Sequence, residues 1–193
     1  MILIVFIAAG LLVGWATGGS LSRLSQVKFR GEWLAITALL VQSALRGPLG
    51  EGIPVLARVV LWGVLTATAL AVSCANWRLF GMPVVALGLA LNLVVVIANS
   101  GMPVSPSAVS VLSNGSIGGV ERTAGGFYHA ASTETHLLLL ADILPIPGPR
   151  SVRTVLSVGD VALLLGVSMV LARGMRASSE AHEPEPRKAP PMA

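Results

Sequence analysis

The chain alternates uncharged apolar blocks with short stretches that carry nearly all of its charge, and several blocks are long enough to cross a bilayer. A spanning helix needs about 20 apolar residues for a hydrocarbon core of about 30 Å. Residues 1–22 contain no charge, 59–77 and 79–98 contain none, and 154–172 is interrupted only by Asp160. Charged residues make up 11% of the 193, less than half of the roughly 25% usual in globular domains. Apolar side chains supply 54%, and the 21 glycines bring that to about 65%, against roughly 45–50% counted the same way in globular domains. A water-soluble fold needs more polar surface than this, and a disordered chain far more charge. The composition therefore predicts an integral membrane protein.

The expected fold class is all-α: one polytopic domain over residues 1–173, with five helices near 1–17, 32–46, 56–75, 79–98 and 154–172. The first helix is about 26 Å long at 1.5 Å per residue. The second is the weakest, because its uncharged part, 33–45, reaches only about 20 Å. It spans if Arg30 and Arg46 extend their heads to the interfaces and the bilayer thins. The N-terminal stretch lacks the basic start of a signal peptide, since its first charge is Arg23, and it leads into no polar domain after a small-residue cleavage site. It reads as a retained helix. The tail 174–193 has charges and prolines but no apolar periodicity and is expected to be disordered and cytoplasmic.

Orientation follows from the cations that flank the helices. Five spans collect Arg23, Lys28, Arg30, Arg78, Arg173, Arg176, Arg187 and Lys188 on one side, and Arg46, Arg58, Arg150 and Arg153 on the other. Eight against four places the N-terminus outside and the C-terminus in the cytoplasm. Without the second helix the separation falls to seven against five. The connection 99–153 then lies on the extracytoplasmic side, and its 55 residues far exceed the 2–8 usual between packed helices. Within it, SAVSVL and THLLLLADILPIP are apolar enough to need burial, and 136–144 is expected to be a re-entrant or interfacial element.

Charge and cysteine content exclude other classes. The net charge is +4, but the cations fall in ones and twos between apolar blocks rather than in the clusters nucleic acid requires. The lone Cys74 excludes an intramolecular disulfide, a redox pair and a thiolate zinc site, and it is expected as a packed, inert thiol. No internal repeat stands out, which weighs against the inverted-repeat design of transporters. Trp15, Trp33, Trp62 and Trp77 include natural interface anchors. Neither GxxxxGK[ST], GxSxG nor HExxH occurs, so no standard enzyme is signalled and no metal or cofactor is expected.

Three strings frame the long connection. In the first, NSGMPVS, Asn99 and Gly101 supply a tight or left-handed turn, Pro103 stops the helix, and Ser105 or Ser107 can cap the next one. Asn92 and Asn99 lie seven residues apart, on one helix face. Amide side chains in hydrocarbon need partners, and Gln42 is one available. Asn92, Asn99 and Ser105 are accordingly ligand-binding candidates. In the second string, Pro145, Pro147 and Pro149 enforce an extended segment, while His136 and Asp142 can act as a base and its orienting carboxylate. A metal reading would add His129 and Glu134, but no zinc spacing is present. In the third, SVGD, Ser157 and Asp160 fit a capping box, yet a carboxylate in an apolar block is also a functional candidate. His136, Asp142 and Asp160 are thus the catalytic candidates. Arg122, beside Glu121 in a glycine-rich stretch, can clamp an anionic head group or pair locally.

GMPVS at 101–105, ADILPIP at 141–147 and SVGD at 157–160, in that order, resemble a family of small bacterial integral membrane proteins classed as a domain of unknown function. The resemblance covers most of residues 1–173. In that family the middle string usually reads Leu-Gly-Asp-Ile-Ile-Pro, and here Ala141 stands in place of the glycine. The resemblance implies a five-helix fold in a bacterial membrane and brings no activity or site residue with it. The residues themselves suggest a binding or assembly protein whose polar cap meets a lipid head group or a membrane-protein partner. The alternative is a membrane-embedded enzyme acting on a lipid-linked substrate, and a small transporter is the least supported.

Overall fold

The computed structural model describes residues 2–45, 50, 52–113, 126–149 and 152–176. Its helices are α1 (Ile2–Ala16), α2 (Leu21–Leu24), α3 (Glu32–Leu45), α4 (Val55–Ala75), α5 (Met82–Asn99), α6 (Pro106–Ser113) and α7 (Val158–Gly174). The short strands β1 (Met102–Val104), β2 (Tyr128–Ala130), β3 (Leu144–Ile146) and β4 (Thr154–Leu156) lie in the long connection. The fold is mostly helical, and the all-α expectation needs one correction: β1 pairs in parallel with β2, and β3 pairs antiparallel with β4. Pro145 does lie in extended backbone, at the centre of β3 opposite Val155. The segment 154–156, expected as the start of the last helix, is β4 instead, because Ser157 caps the helix behind it. The tail 177–193 and Arg122 lie outside the described residues.

The five longer helices, 14 to 21 residues each, stand in a row in the order α3, α4, α5, α7, α1. Glycines set the two tightest contacts. Gly81 and Gly88 on one side, and Gly159 and Gly166 on the other, let α5 and α7 touch backbone to backbone. A Cβ on Gly88 would sit 2.5 Å from the Gly159 carbonyl oxygen, and one on Gly166 would sit 2.6 Å from the Val85 nitrogen. The register runs antiparallel, Gly88 against Gly159 and Gly81 against Gly166. On the far side of α7, a Cβ on Gly10 would meet the Ser168 carbonyl oxygen at 2.7 Å. The Ser168 hydroxyl also donates to the Phe6 carbonyl at 2.8 Å. Here the register rises together, Gly10 at Ser168 and Gly14 at Ala172, so α1 and α7 are parallel.

Polar side chains join the other neighbours. Gln42 Nε2 donates to Thr66 Oγ1 at 2.9 Å, linking α3 to α4, so its partner is not an asparagine of α5. Asn76, which ends α4, accepts from the Arg30 backbone N–H and donates to the Arg30 carbonyl, both at 2.8 Å. α5 ends differently from the expected turn: Ser100, not Asn99 or glycine, takes the left-handed conformation at φ 53°, ψ 34°. Asn99 is left to bond elsewhere.

The outer faces are apolar. Leu12, Trp15, Trp33, Leu40, Leu56, Val64, Trp77 and Ile97 are all exposed. α4 and α5 are long and apolar enough to cross a membrane, yet only 22% and 33% of their most apolar stretches are buried. Cys74 is exposed on this surface rather than packed. Trp62 points the other way, into a cluster with Val59, Val95, Val96 and Met102.

The glycine contacts carry a prediction about stability. Gly88→Ala should cost about 1–3 kcal/mol by overpacking and lower the melting temperature of the purified protein. Gly63→Ala should instead raise it slightly, by about 0.4–1 kcal/mol of stability, since the nearest atom to a Cβ there is Leu93 Cδ1 at 3.9 Å.

Candidate functional site

The described parts of the long connection, 100–113, 126–149 and 152–153, form a cap over the N-terminal end of α4 and the C-terminal end of α5. Its anchor is apolar: Phe127 and Tyr128 pack with Trp62 and the Val95–Val96–Met102 cluster, and the Phe127 ring lies 5.6 Å from Trp62 and 5.2 Å from Tyr128. Backbone bonds then knit the cap. The Met102 N–H donates to the Phe127 carbonyl at 2.9 Å, the Asp142 N–H to the Pro103 carbonyl at 3.0 Å, and the Ser105 N–H to the Asp142 carbonyl at 2.8 Å. Residue 142 thereby extends β1 on the side opposite β2. The methyl of Ala141 is fully buried, so this position accommodates a Cβ. The segment 138–140 forms a 3-10 turn with Leu138 and Leu139 exposed, Leu139 at 77%.

The candidates separate into two groups. The first is buried where α5 meets α7. Asn92 Nδ2 donates to Asp160 Oδ1 at 2.7 Å, and the Ser157 hydroxyl donates to Asn92 Oδ1 at 2.8 Å. The Ser157 oxygen also accepts from the Asp160 N–H at 2.9 Å, and Asp160 Oδ2 accepts from the Ser157 N–H at 3.4 Å. This is a capping box, and one member of it reaches across to the next helix. The two readings of Asp160 that the sequence leaves open thus share one carboxylate, which caps α7 while holding Asn92. Ser157 is wholly buried and Asn92 is 7% exposed, while Asp160 at the edge of the network is half-buried.

The second group lies on the cap. Asn99 uses its side chain as a clasp: Nδ2 donates to the His136 carbonyl and Oδ1 accepts from the His136 N–H, each at 2.9 Å. This pins the 132–136 turn to the end of α5. Within that turn the Ser132 N–H donates to Thr135 Oγ1 at 2.8 Å, and the Glu134 N–H to Ser132 Oγ at 3.2 Å, which leaves Glu134 and His136 exposed. His129, on β2, faces the same groove. Ala98, Asn99, Ser100, His129, Ser132, Glu134, Thr135 and His136 line an open hollow of about 310 Å³.

Other candidates are placed elsewhere. Ser105 caps α6, accepting from the Ala108 N–H at 3.3 Å. Asp142 is buried, 6% exposed, and the structure does not join its carboxylate to the exposed His136 ring as base and orienting acid. Among the described residues, no three His, Cys, Asp or Glu side chains are placed to hold a metal ion. Reasoning from sequence misses Glu134 and His129 as partners of His136 except as metal ligands. The Asn99 clasp that gathers them has no sequence signal, because it bonds to backbone 37 residues away.

The network carries a stability prediction. Ser157→Ala should cost about 1–3 kcal/mol, since it removes a cap and strips a buried amide oxygen of its donor. Asp160→Asn should cost less than Asp160→Leu, because an amide oxygen still accepts from Asn92. Urea melts of the purified protein would rank the three variants, and equal losses for Asn and Leu would refute the coupling.

No curated protein and no solved structure matches the chain. A family model does, over residues 26–172, a stretch that contains α3 to α5, the whole cap and nearly all of α7. The chain belongs to the family of unknown function DUF5317.

Proposed function

We propose that the chain is a five-span protein of the bacterial cell membrane, and that it serves as a binding or assembly factor. Its extracytoplasmic cap recognises a lipid head group or a membrane-protein partner. The observation that carries this reading is the polar hollow at the end of α5, which presents His129, Glu134, Thr135 and His136 directly above an apolar helix surface. A site at that level meets the head-group region, where polar and apolar chemistry change over within a few ångströms.

Helix directions support the span count. α1 and α7 are parallel, whereas α3 and α4 pair antiparallel through Gly31 at Val72 and Gln42 at Thr66. α4 and α5 form a hairpin, and α5 and α7 are antiparallel. Directions therefore alternate along the chain as five crossings require. α1 and α3 are short, about 22 Å and 21 Å at 1.5 Å per residue, and rely on local thinning. Trp15, Trp33 and Trp77 are exposed and lie at the ends that this orientation places in the cytoplasm, beside Arg23, Arg30 and Arg78. The enzyme reading has less support, since both oxygens of Asp160 are engaged by Asn92 and the Ser157 backbone.

Orientation is tested by single cysteines at Thr133 and Ser179 in a Cys74→Ala background, labelled with an impermeant maleimide in intact cells. Labelling at 133 and not at 179 is expected, and the reverse would place the hollow in the cytoplasm and overturn the reading. His136→Ala should then release whatever lipid or partner co-purifies, with an unchanged melting temperature.

A further inference from the structure

The polar hollow shares a lining residue with a second cavity. Leu56, Val59, Val60, Gly63, Val64, Ala67, Leu93, Ile97 and Ser100 line an apolar groove of about 430 Å³ between α4 and α5, and Ser100 also lines the hollow. Leu56, Val60, Gly63, Val64 and Ala67 recur at helical spacing along one stripe of α4, a run of about 16 Å at 1.5 Å per residue. Gly63 forms the groove floor, with nothing but Leu93 Cδ1 within 4 Å of a Cβ placed there. At the junction Ser100 holds the left-handed backbone, φ 53°, that ends α5.

We infer that the two cavities form one site for a zwitterionic glycerophospholipid, its ammonium–phosphate head in the hollow and one acyl chain in the α4–α5 groove. This rests on the lipid-binding form of the proposed function and names the lipid class. An occupant that is polar at one end and hydrocarbon at the other is what a polar hollow and an apolar groove meeting at Ser100 can satisfy throughout. The head is specified by charge. The exposed Glu134 carboxylate complements an ammonium and repels a purely anionic head, while the imidazoles of His129 and His136 offer N–H donors to phosphate oxygens. The acyl chain gains by dispersion contact with the groove walls rather than by leaving water.

Native mass spectrometry of the full chain in detergent, with added phosphatidylethanolamine or phosphatidylglycerol, tests the site. The wild-type protein should retain phosphatidylethanolamine about tenfold better, as expected for one charge-assisted contact. Glu134→Gln should abolish that preference. Gly63→Leu, or Ala67→Leu if the first variant does not fold, should weaken retention of phosphatidylethanolamine about tenfold and leave binding of chain-free glycerophosphoethanolamine unchanged. If either variant behaves as wild type, the single-lipid site is overturned, while head-group recognition stands as long as His136→Ala still releases lipid. A stable dimer broken by Gly63→Leu would assign the groove to a second copy and overturn the lipid. Retention of neither lipid, with no loss on His136→Ala, overturns the lipid form of the proposed function as well.

Discussion

Backbone contact between α5 and α7 is the constraint on which the rest of the molecule depends. Where the surroundings are apolar, helices gain little by hiding hydrocarbon from one another, and association rests on close packing and interhelical hydrogen bonds. Gly81, Gly88, Gly159 and Gly166 supply the first, at two levels seven residues apart. Asn92, Ser157 and Asp160 supply the second at the top of the same seam. A slip of one residue would drive a side chain into backbone and leave the Asn92 amide unsatisfied, so each element specifies the register that the other needs.

That register decides where the cap sits. α5 must end, and α7 begin, at a common level, and the connection between them is tied down at both ends. Asn99 holds the 132–136 turn, and the Asp142 backbone joins β1. The aromatic cluster of Trp62, Phe127 and Tyr128 then fixes the cap to α4. The polar hollow follows from these ties together with the hydrogen bonds inside the turn. α7 is also the hinge of the row, since its opposite face receives α1 through Gly10 and Gly14. The family match begins at residue 26 and so omits α1, although α1 makes one of the two closest helix contacts.

Several features are legible in the sequence itself. The capping box at Ser157 and Asp160, the cap at Ser105, and the shared face of Asn92 and Asn99 are all local patterns, and local patterns survive folding. Sequence reasoning fails where a residue's role depends on something distant. Pairing Gln42 with an asparagine follows from both being amides in apolar helices, but Thr66 is the polar group that α4 places opposite it. Cys74 reads as packed from its place in an apolar block, yet apolar blocks here turn most of their surface outward. Residues 154–156 continue the apolar run and so read as helix, whereas pairing with β3 claims them. Of the hollow, His136 and Asn99 are recognisable as polar groups in apolar strings, whereas His129 and Glu134 enter a sequence reading only as metal ligands.

Helix content, the approximate ends of five helices and the placement of charge between them all follow from the amino-acid sequence alone. Those properties depend on composition and on neighbours within a few turns. Only the tertiary structure decides that α1 lies against α7, that the long connection contains strands, and that His129, Glu134 and His136 share one hollow. Each of these needs contacts between residues that the chain does not bring together locally. Such contacts are made by backbone carbonyls, amides and glycine gaps, which look alike in any sequence until packing brings them within reach.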